Sequence, residues 1–262
     1  MKNVLKGIST EFIKSKNTFV SWLVILGAAF IPLFVSFGFL IKWEQLIPEQ
    51  GKNPWDDFTE MSWRGMGFLY TPFFVVLLIS LFLNIEHKSN TWKHIFTLPI
   101  SKGTIYFNKL ITLLIFIVFF YMLYVPFWVG CGFFVGMIKP ALQLTKNTPD
   151  YVSMINLCFH SFIASLGIVG IHFWLSLRFK NMIIPIAIAV LGGIIWVALY
   201  QGRAEQIIYF PYAYNYSTIN PPNWVSSKMF GIFPQHEIFS IAYFVIFTIL
   251  SYRYFKTDFK DN

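Results

Sequence analysis

Residues 19–41 read FVSWLVILGAAFIPLFVSFGFLI, 23 residues without one charged side chain. About 20 such residues in a helix cross the ~30 Å hydrocarbon core of a bilayer. Lipid offers no partner to a bare peptide group, so the stretch must satisfy its backbone internally, as a helix. Five further stretches follow, at 66–85, 110–138, 152–177, 182–200 and 238–252. The last is short, but Tyr252 and Tyr254 extend it at the interface, where aromatic rings sit well. Only 12% of the 262 residues are charged, against about 25% in a soluble domain. The expected fold is therefore an all-α integral membrane protein, six transmembrane helices in one transmembrane domain, 1–262.

Six spans put both termini on one side. That side, residues 1–18, 86–109, 178–181 and 253–262, holds 13 Lys and Arg and a net charge of +9. The other side, 42–65, 139–151 and 201–237, holds 7 and a net charge of −1 over longer loops. Positive loops stay inside, so both termini are expected in the cytoplasm of a plasma (inner) membrane. Topology accounts for the overall charge of +8, and no nucleic-acid partner is expected. Residues 1–18 do not resemble a cleaved signal peptide. Val4, Leu5, Ile8 and Phe12 recur at helical spacing among Lys2, Lys6, Lys14 and Lys16. That suits a short helix lying on the inner leaflet, the alternative being a disordered basic tail.

Residues 102–138 would run about 55 Å as one helix, more than the bilayer needs. The segment is expected to break, tilt or lie along the surface, with Gly103 and Pro126 as the weak points. Gly132 and Gly136 form a GxxxG pair that either brings two helices close or makes room beside a large ring. Gly192 and Gly193 read as close packing or a bend. The loop 201–237 carries Tyr209, Phe210, Tyr212, Tyr214, Tyr216, Trp224, Phe230 and Phe233. So many rings are expected to dip into the interface or pack over the bundle.

No G-x-x-x-x-G-K-[ST] and no H-E-x-x-H occurs, and no Ser/His/Asp set follows from spacing. Cys131 and Cys158 lie in apolar runs with no metal-ligand spacing. Neither enzymatic chemistry nor a metal or cofactor is expected in this chain. Polar groups inside spans are functional candidates by default. Asn156 and His160, four apart, share a helix face, with Ser161 and Ser165 on the same span. His160 and His172, twelve apart, do not share a face, which speaks against a two-His site or a simple proton wire. Hydrogen bonds to neighbouring helices are the simpler role for all three of Asn156, His160 and His172.

The connection 86–102 reads EHKSNTWKHIFTLPISK. Ser89 or Asn90 can cap a short helix in which Trp92, Ile95 and Phe96 share one face, flanked by Lys93 and His94. Pro99 ends it, and Ser101 can cap the next helix. This apolar face can rest on lipid headgroups or dock into a groove of a cytoplasmic protein. Glu86 would sit at a helix C-terminus, where a carboxylate opposes the macrodipole and needs a partner or a helix that turns away there. Lys109, at the start of the third span, is the proposed partner.

Glu86, Asn90 and Thr91, Lys93, Leu98-Pro99-Ile100-Ser101-Lys102, Tyr106 and Lys109 resemble, in that order, the cytoplasmic loop of ABC-2 type permeases. Asn90 stands for the usual Gly, Ile100 for Val and Lys102 for Arg. The likeness extends to the six-span layout and the basic N-terminal segment. A second, looser similarity is to the permeases of lantibiotic and bacteriocin self-protection exporters. It is carried by Leu175-Ser176-Leu177-Arg178-Phe179-Lys180-Asn181 and Phe210-Pro211-Tyr212. The resemblance implies that 86–102 is a coupling helix, with Thr91, Trp92, Lys93, Ile95, Phe96, Leu98 and Pro99 docking a separate P-loop ATPase. Glu86, Lys102 and Lys109 border it. It further implies two ATPase copies that bind ATP and Mg, and a second identical or sister permease in the bilayer. The expected role is export of an amphipathic or hydrophobic substrate, such as an antimicrobial peptide or a lipid-like molecule. The rivals are a proton-coupled secondary transporter using its intramembrane histidines, and a non-transporting anchor that recruits an ATPase for assembly or mechanical work.

Overall fold

The apolar stretches fold as helices whose ends the local sequence marks. A computed structural model describes residues 2–88, 92–97, 99–225 and 227–257, with the backbone alone at 2–5, 93, 94 and 96. Helix α1 (Lys2–Lys16) gives way at Asn17, and Thr18 then caps α2 (Phe19–Ile41) by accepting from the Val20 N–H. Asn53 caps α3 (Pro54–Gly65), which has proline in its first turn beside Asp56 and Asp57, as the helix dipole favours. A π-turn at Met66–Tyr70 follows, then α4 (Thr71–Lys88). Pro72 has no N–H to continue the α ladder. One residue earlier, the Thr71 N–H reaches back five residues to the Met66 carbonyl, and its hydroxyl donates to the same oxygen. The short α5 (Trp92–Thr97) precedes α6 (Lys102–Ile138), capped by Ser101. Asp150 caps α7 (Tyr151–Arg178), and α8 (Ile183–Gln201) follows. The connection beyond it contains the one-turn α9 (Tyr214–Ser217) and a small hairpin, β1 (Met229–Phe230) with β2 (Phe233–Pro234), turned through Gly231 at φ +65°. Helix α10 (Gln235–Thr257) closes the described chain.

Six helical runs are long and apolar enough to cross a membrane: Phe19–Ile41, Pro54–Lys88, Lys102–Ile138, Tyr151–Arg178, Ile183–Gln201 and Gln235–Thr257. The fold is all-α in its spanning part. Helix α10 lies along α7, α2 along α6, and α4 against α7 and α8. Rings fill the middle: Trp55, Trp63, Phe120, Tyr124, Trp128 and Trp196 are all buried. Facing outwards, α2 leaves Trp22, Phe30, Phe34 and Phe37 exposed, side chains that lipid can cover.

Two helical runs are longer than the spans expected within them: α3 and the π-turn continue the second back to Pro54, and the sixth starts at Gln235, so that it includes Glu237. One expectation needs correction: 102–138 does not break at Gly103 or Pro126; it is one 37-residue helix. Its excess length is packed by protein at both ends. Near its start, Phe12 of α1 packs at a tilt on Phe116, and the Tyr106 hydroxyl bonds to the Thr248 carbonyl and Ser251 of α10. Near its end, Trp55 of α3 packs on Trp128 and donates to the Leu144 carbonyl.

The glycine pairs serve rings and loops. A Cβ on Gly132 would lie 2.4 Å from the Trp55 ring, and one on Gly136 3.0 Å from Leu144 and Thr145. Gly192 faces Tyr212 and Gly193 faces Phe73. The aromatic loop packs into the bundle, with Tyr212, Ala213, Tyr214 and Asn215 buried. Irregular backbone is tolerated in a membrane protein where protein covers it.

Candidate functional site

Four charged side chains converge at the end of the bundle that carries α1, the close of α4 and the start of α6. The Lys109 ammonium, 1% exposed, donates to Glu86 Oε1 at 2.5 Å and to Glu11 Oε2 at 2.8 Å. Lys14 reaches Glu11 Oε1 at 3.1 Å and lies 3.6 Å from Glu86 Oε1. Two lysines thus meet two carboxylates. Glu86 sits in the last turn of α4, where the helix dipole disfavours it and Lys109 compensates. Burial pushes the Glu11 carboxyl upward, but Lys109 and Lys14 overcome this and hold it below its ordinary value of 4.5. Helix α1 comes close enough to α6 here that a Cβ on Gly7 would overlap Asn108.

The short helix α5 is seated on this cluster. The Trp92 indole, 6% exposed, packs on Phe255 of α10 and His87 of α4, and Lys109 Nζ stands 5.3 Å from its ring centre. His87 Nε2 in turn donates to the Ser176 carbonyl of α7 at 2.9 Å. One indole therefore joins α5 to α4, α6 and α10. Ile95 is half-buried, whereas Thr97, Pro99 and Ile100 are exposed. Lys102 donates to the Lys256 carbonyl at 3.3 Å.

A second polar cluster lies toward the opposite end, between α7 and the start of α10. His160 Nδ1 donates to both oxygens of Glu237 at 3.0 Å, and His236 Nε2 lies 3.9 Å from Oε1. Glu237 is fully buried and His160 half-buried. Asn156, one turn before His160, is exposed and lines the same cavity of about 470 Å³. Apart from these, His172 is wholly buried and shares a 2.6 Å hydrogen bond with the Tyr212 hydroxyl.

Compared with protein-family models, residues 7–196 match the one described as ABC-2 family transporter protein. The chain belongs to the ABC-2 transporter family. It is a multi-pass membrane permease, and membrane components of this family generally pair with an ATP-binding subunit. No curated protein and no solved structure gives a significant match.

In this ABC-2 permease the structure brings Glu86 and Lys109 together and adds Glu11, which sequence reading missed. The missed signal was a lone carboxylate on the basic helix α1, one residue before the apolar Phe12. Trp92, expected on a docking face, lies with its indole buried against Phe255 and His87 and beside Lys109. Ser89, Asn90, Thr91 and Leu98 lie outside the described residues, as do the side chains of Lys93, His94 and Phe96. His160 and His172 do not meet. His160 pairs with Glu237, missed because the expected sixth span starts at 238, just past that residue.

Proposed function

We propose that this permease moves an amphipathic or hydrophobic substrate out of the cytoplasm, driven by a separate P-loop ATPase that docks on the 86–102 connection. The observation that carries the reading is the seat of α5. A displacement of this helix must be felt by α1, α4, α6 and α10 together, since Trp92 and the Lys109 cluster join all four. Packed interfaces switch between discrete arrangements rather than deform continuously, so such a buried cluster suits a rigid-body movement better than a graded one. The contact surface for the ATPase is then the exposed side, around Thr97, Pro99 and Ile100, while Trp92 passes the movement inward. Thr91, Lys93, Phe96 and Leu98 belong to the same short segment and complete the docking element.

In this reading, two ATPase copies bearing ATP and Mg act on two permeases, identical or sister, each a single transmembrane domain with cytoplasmic termini in the plasma membrane. The testing experiment reconstitutes the permease with its ATPase in liposomes. Hydrolysis stimulated by substrate, together with ATP-dependent substrate movement, is the expected result. ATPase binding without either would leave a recruiting anchor instead. Transport that persists without the ATPase would point to a secondary transporter.

A further inference from the structure

We propose that the cavity around Glu237 is a binding site for an organic ammonium ion, with the Glu237 carboxylate as its counter-ion. The carboxylate is fully buried, yet its ion-pair partners among the described residues are two histidines and neither a lysine nor an arginine. One of them, His236, is 3.9 Å away, and its Nε2 is 3.2 Å from Thr218 Oγ1. Thr218 already donates its proton to the Tyr214 carbonyl, so the imidazole N–H is the donor in that contact. That leaves the single Nδ1–H of His160 shared between both Glu237 oxygens. A buried carboxylate served by one shared proton keeps most of its accepting capacity unused. Contrast Glu11, at the other end of the bundle, which meets two lysines.

The carboxylate itself is fully covered, and its partner His160, 28% exposed, opens on a cavity with an entrance that both residues line. Ser153 and Asn156 on its rim are exposed, and they add further hydrogen-bonding groups. Leu157, Met229 and Ile232 supply apolar wall. This mixed lining selects the ligand class. An alkylammonium brings three N–H donors for oxygens and carbon for the walls, whereas an anion meets the wrong sign. No group of three or more metal-ligating side chains occurs among the described residues, so a bare metal ion lacks its ligands. His160 occupies the place of the ammonium, its N–H making the bond that a ligand N–H replaces.

The inference sharpens the substrate class of the export reading and depends on it for a role in transport. The binding is measured without ATP or ATPase, so failed docking at α5 and failed binding here are separate results. The full chain in lipid nanodiscs is titrated with radiolabelled octylammonium, using octanol as the neutral competitor and empty nanodiscs as background. Saturable octylammonium binding that octanol does not displace is expected, weakened about tenfold or more by Glu237→Gln. Unchanged affinity in that variant, or displacement by equimolar octanol, overturns the proposal. Should Glu237→Gln fail to insert, carbodiimide labelling of Glu237 in the unmodified chain decides. Protection by octylammonium and not by octanol supports the site, and labelling indifferent to octylammonium overturns it.

Discussion

Replacing Lys109 with methionine leaves Glu11 and Glu86 buried side by side, with only Lys14 between them and water. Removing one partner of a buried charge set costs on the order of 3–5 kcal/mol, because the remaining charges stay desolvated. Lys109→Met should therefore lower the thermal stability of the detergent-solubilised permease sharply. Exchanging the two charges, Glu86→Lys with Lys109→Glu, should not restore it, since the new carboxylate at 109 would face Glu11, now 2.8 Å from the ammonium. Replacing Glu11, Glu86 and Lys109 together by methionine should recover much of the loss. If the charge exchange recovers fully, Glu11 is not a member of the cluster. The same cluster sets a pH limit. The Glu11 carboxyl is held below its ordinary 4.5 in the folded chain, so its contribution is complete above that value and lost as pH falls through the folded one. A cysteine at Ser15, buried where α1 rests, should stay unreactive at pH 6 to a dipyridyl disulfide, a probe that protonation keeps reactive in acid, and become labelled only on acidification below about 4.5. In Glu11→Gln this acid step should vanish; labelling that rises near pH 6.5 instead would implicate a histidine.

Among the elements, α6 shows what local sequence conveys and what it leaves out. Its start was legible from Ser101 and its apolar run from composition. Its continuity was not, because a proline and a glycine are read as breaks until the packing partners are known. Those partners, Phe12, Trp55 and Tyr252, come from helices distant in sequence. The six spans were similarly legible, each being a property of about 20 consecutive residues. The Glu86–Lys109 pair could be inferred from the topology of two adjacent spans. Glu11 and Glu237 could not, since each meets its partner only through the tertiary fold. The glycines of α6 allow a direct check. A side chain at Gly132 must displace the Trp55 ring, while nothing lies within 4 Å of a Cβ at Gly130. Gly132→Val should cost roughly 1–3 kcal/mol through overpacking, read as a lower unfolding temperature, and Gly130→Val should be close to neutral. Equal effects of the two would mean that Trp55 does not occupy its seat against α6.

For the whole molecule, the proposed function requires a short helix of six residues to move a bundle of six spans. Its two sides differ. Trp92 packs against Phe255, His87 and Lys109, while Thr97 at the helix end and Pro99 and Ile100 just beyond it are exposed. Damage to the two should therefore separate binding from coupling. Ile100→Glu changes the exposed face without touching the seat, so it should weaken association with the ATPase and reduce transport in proportion to the ATPase lost. Trp92→Ala removes the seat, so the ATPase should still bind, but substrate should no longer stimulate hydrolysis and transport should fall further than binding. Co-purification measures the first quantity, and turnover in liposomes at saturating ATPase measures the second. Saturation rescues a binding defect and does not rescue a coupling defect, because a ligand shifts a conformational equilibrium only through its unequal affinity for the two states. If excess ATPase restores Trp92→Ala to full turnover, the indole is a docking contact after all. The movement must then enter the bundle by another route, through Lys102 and its bond to the end of α10.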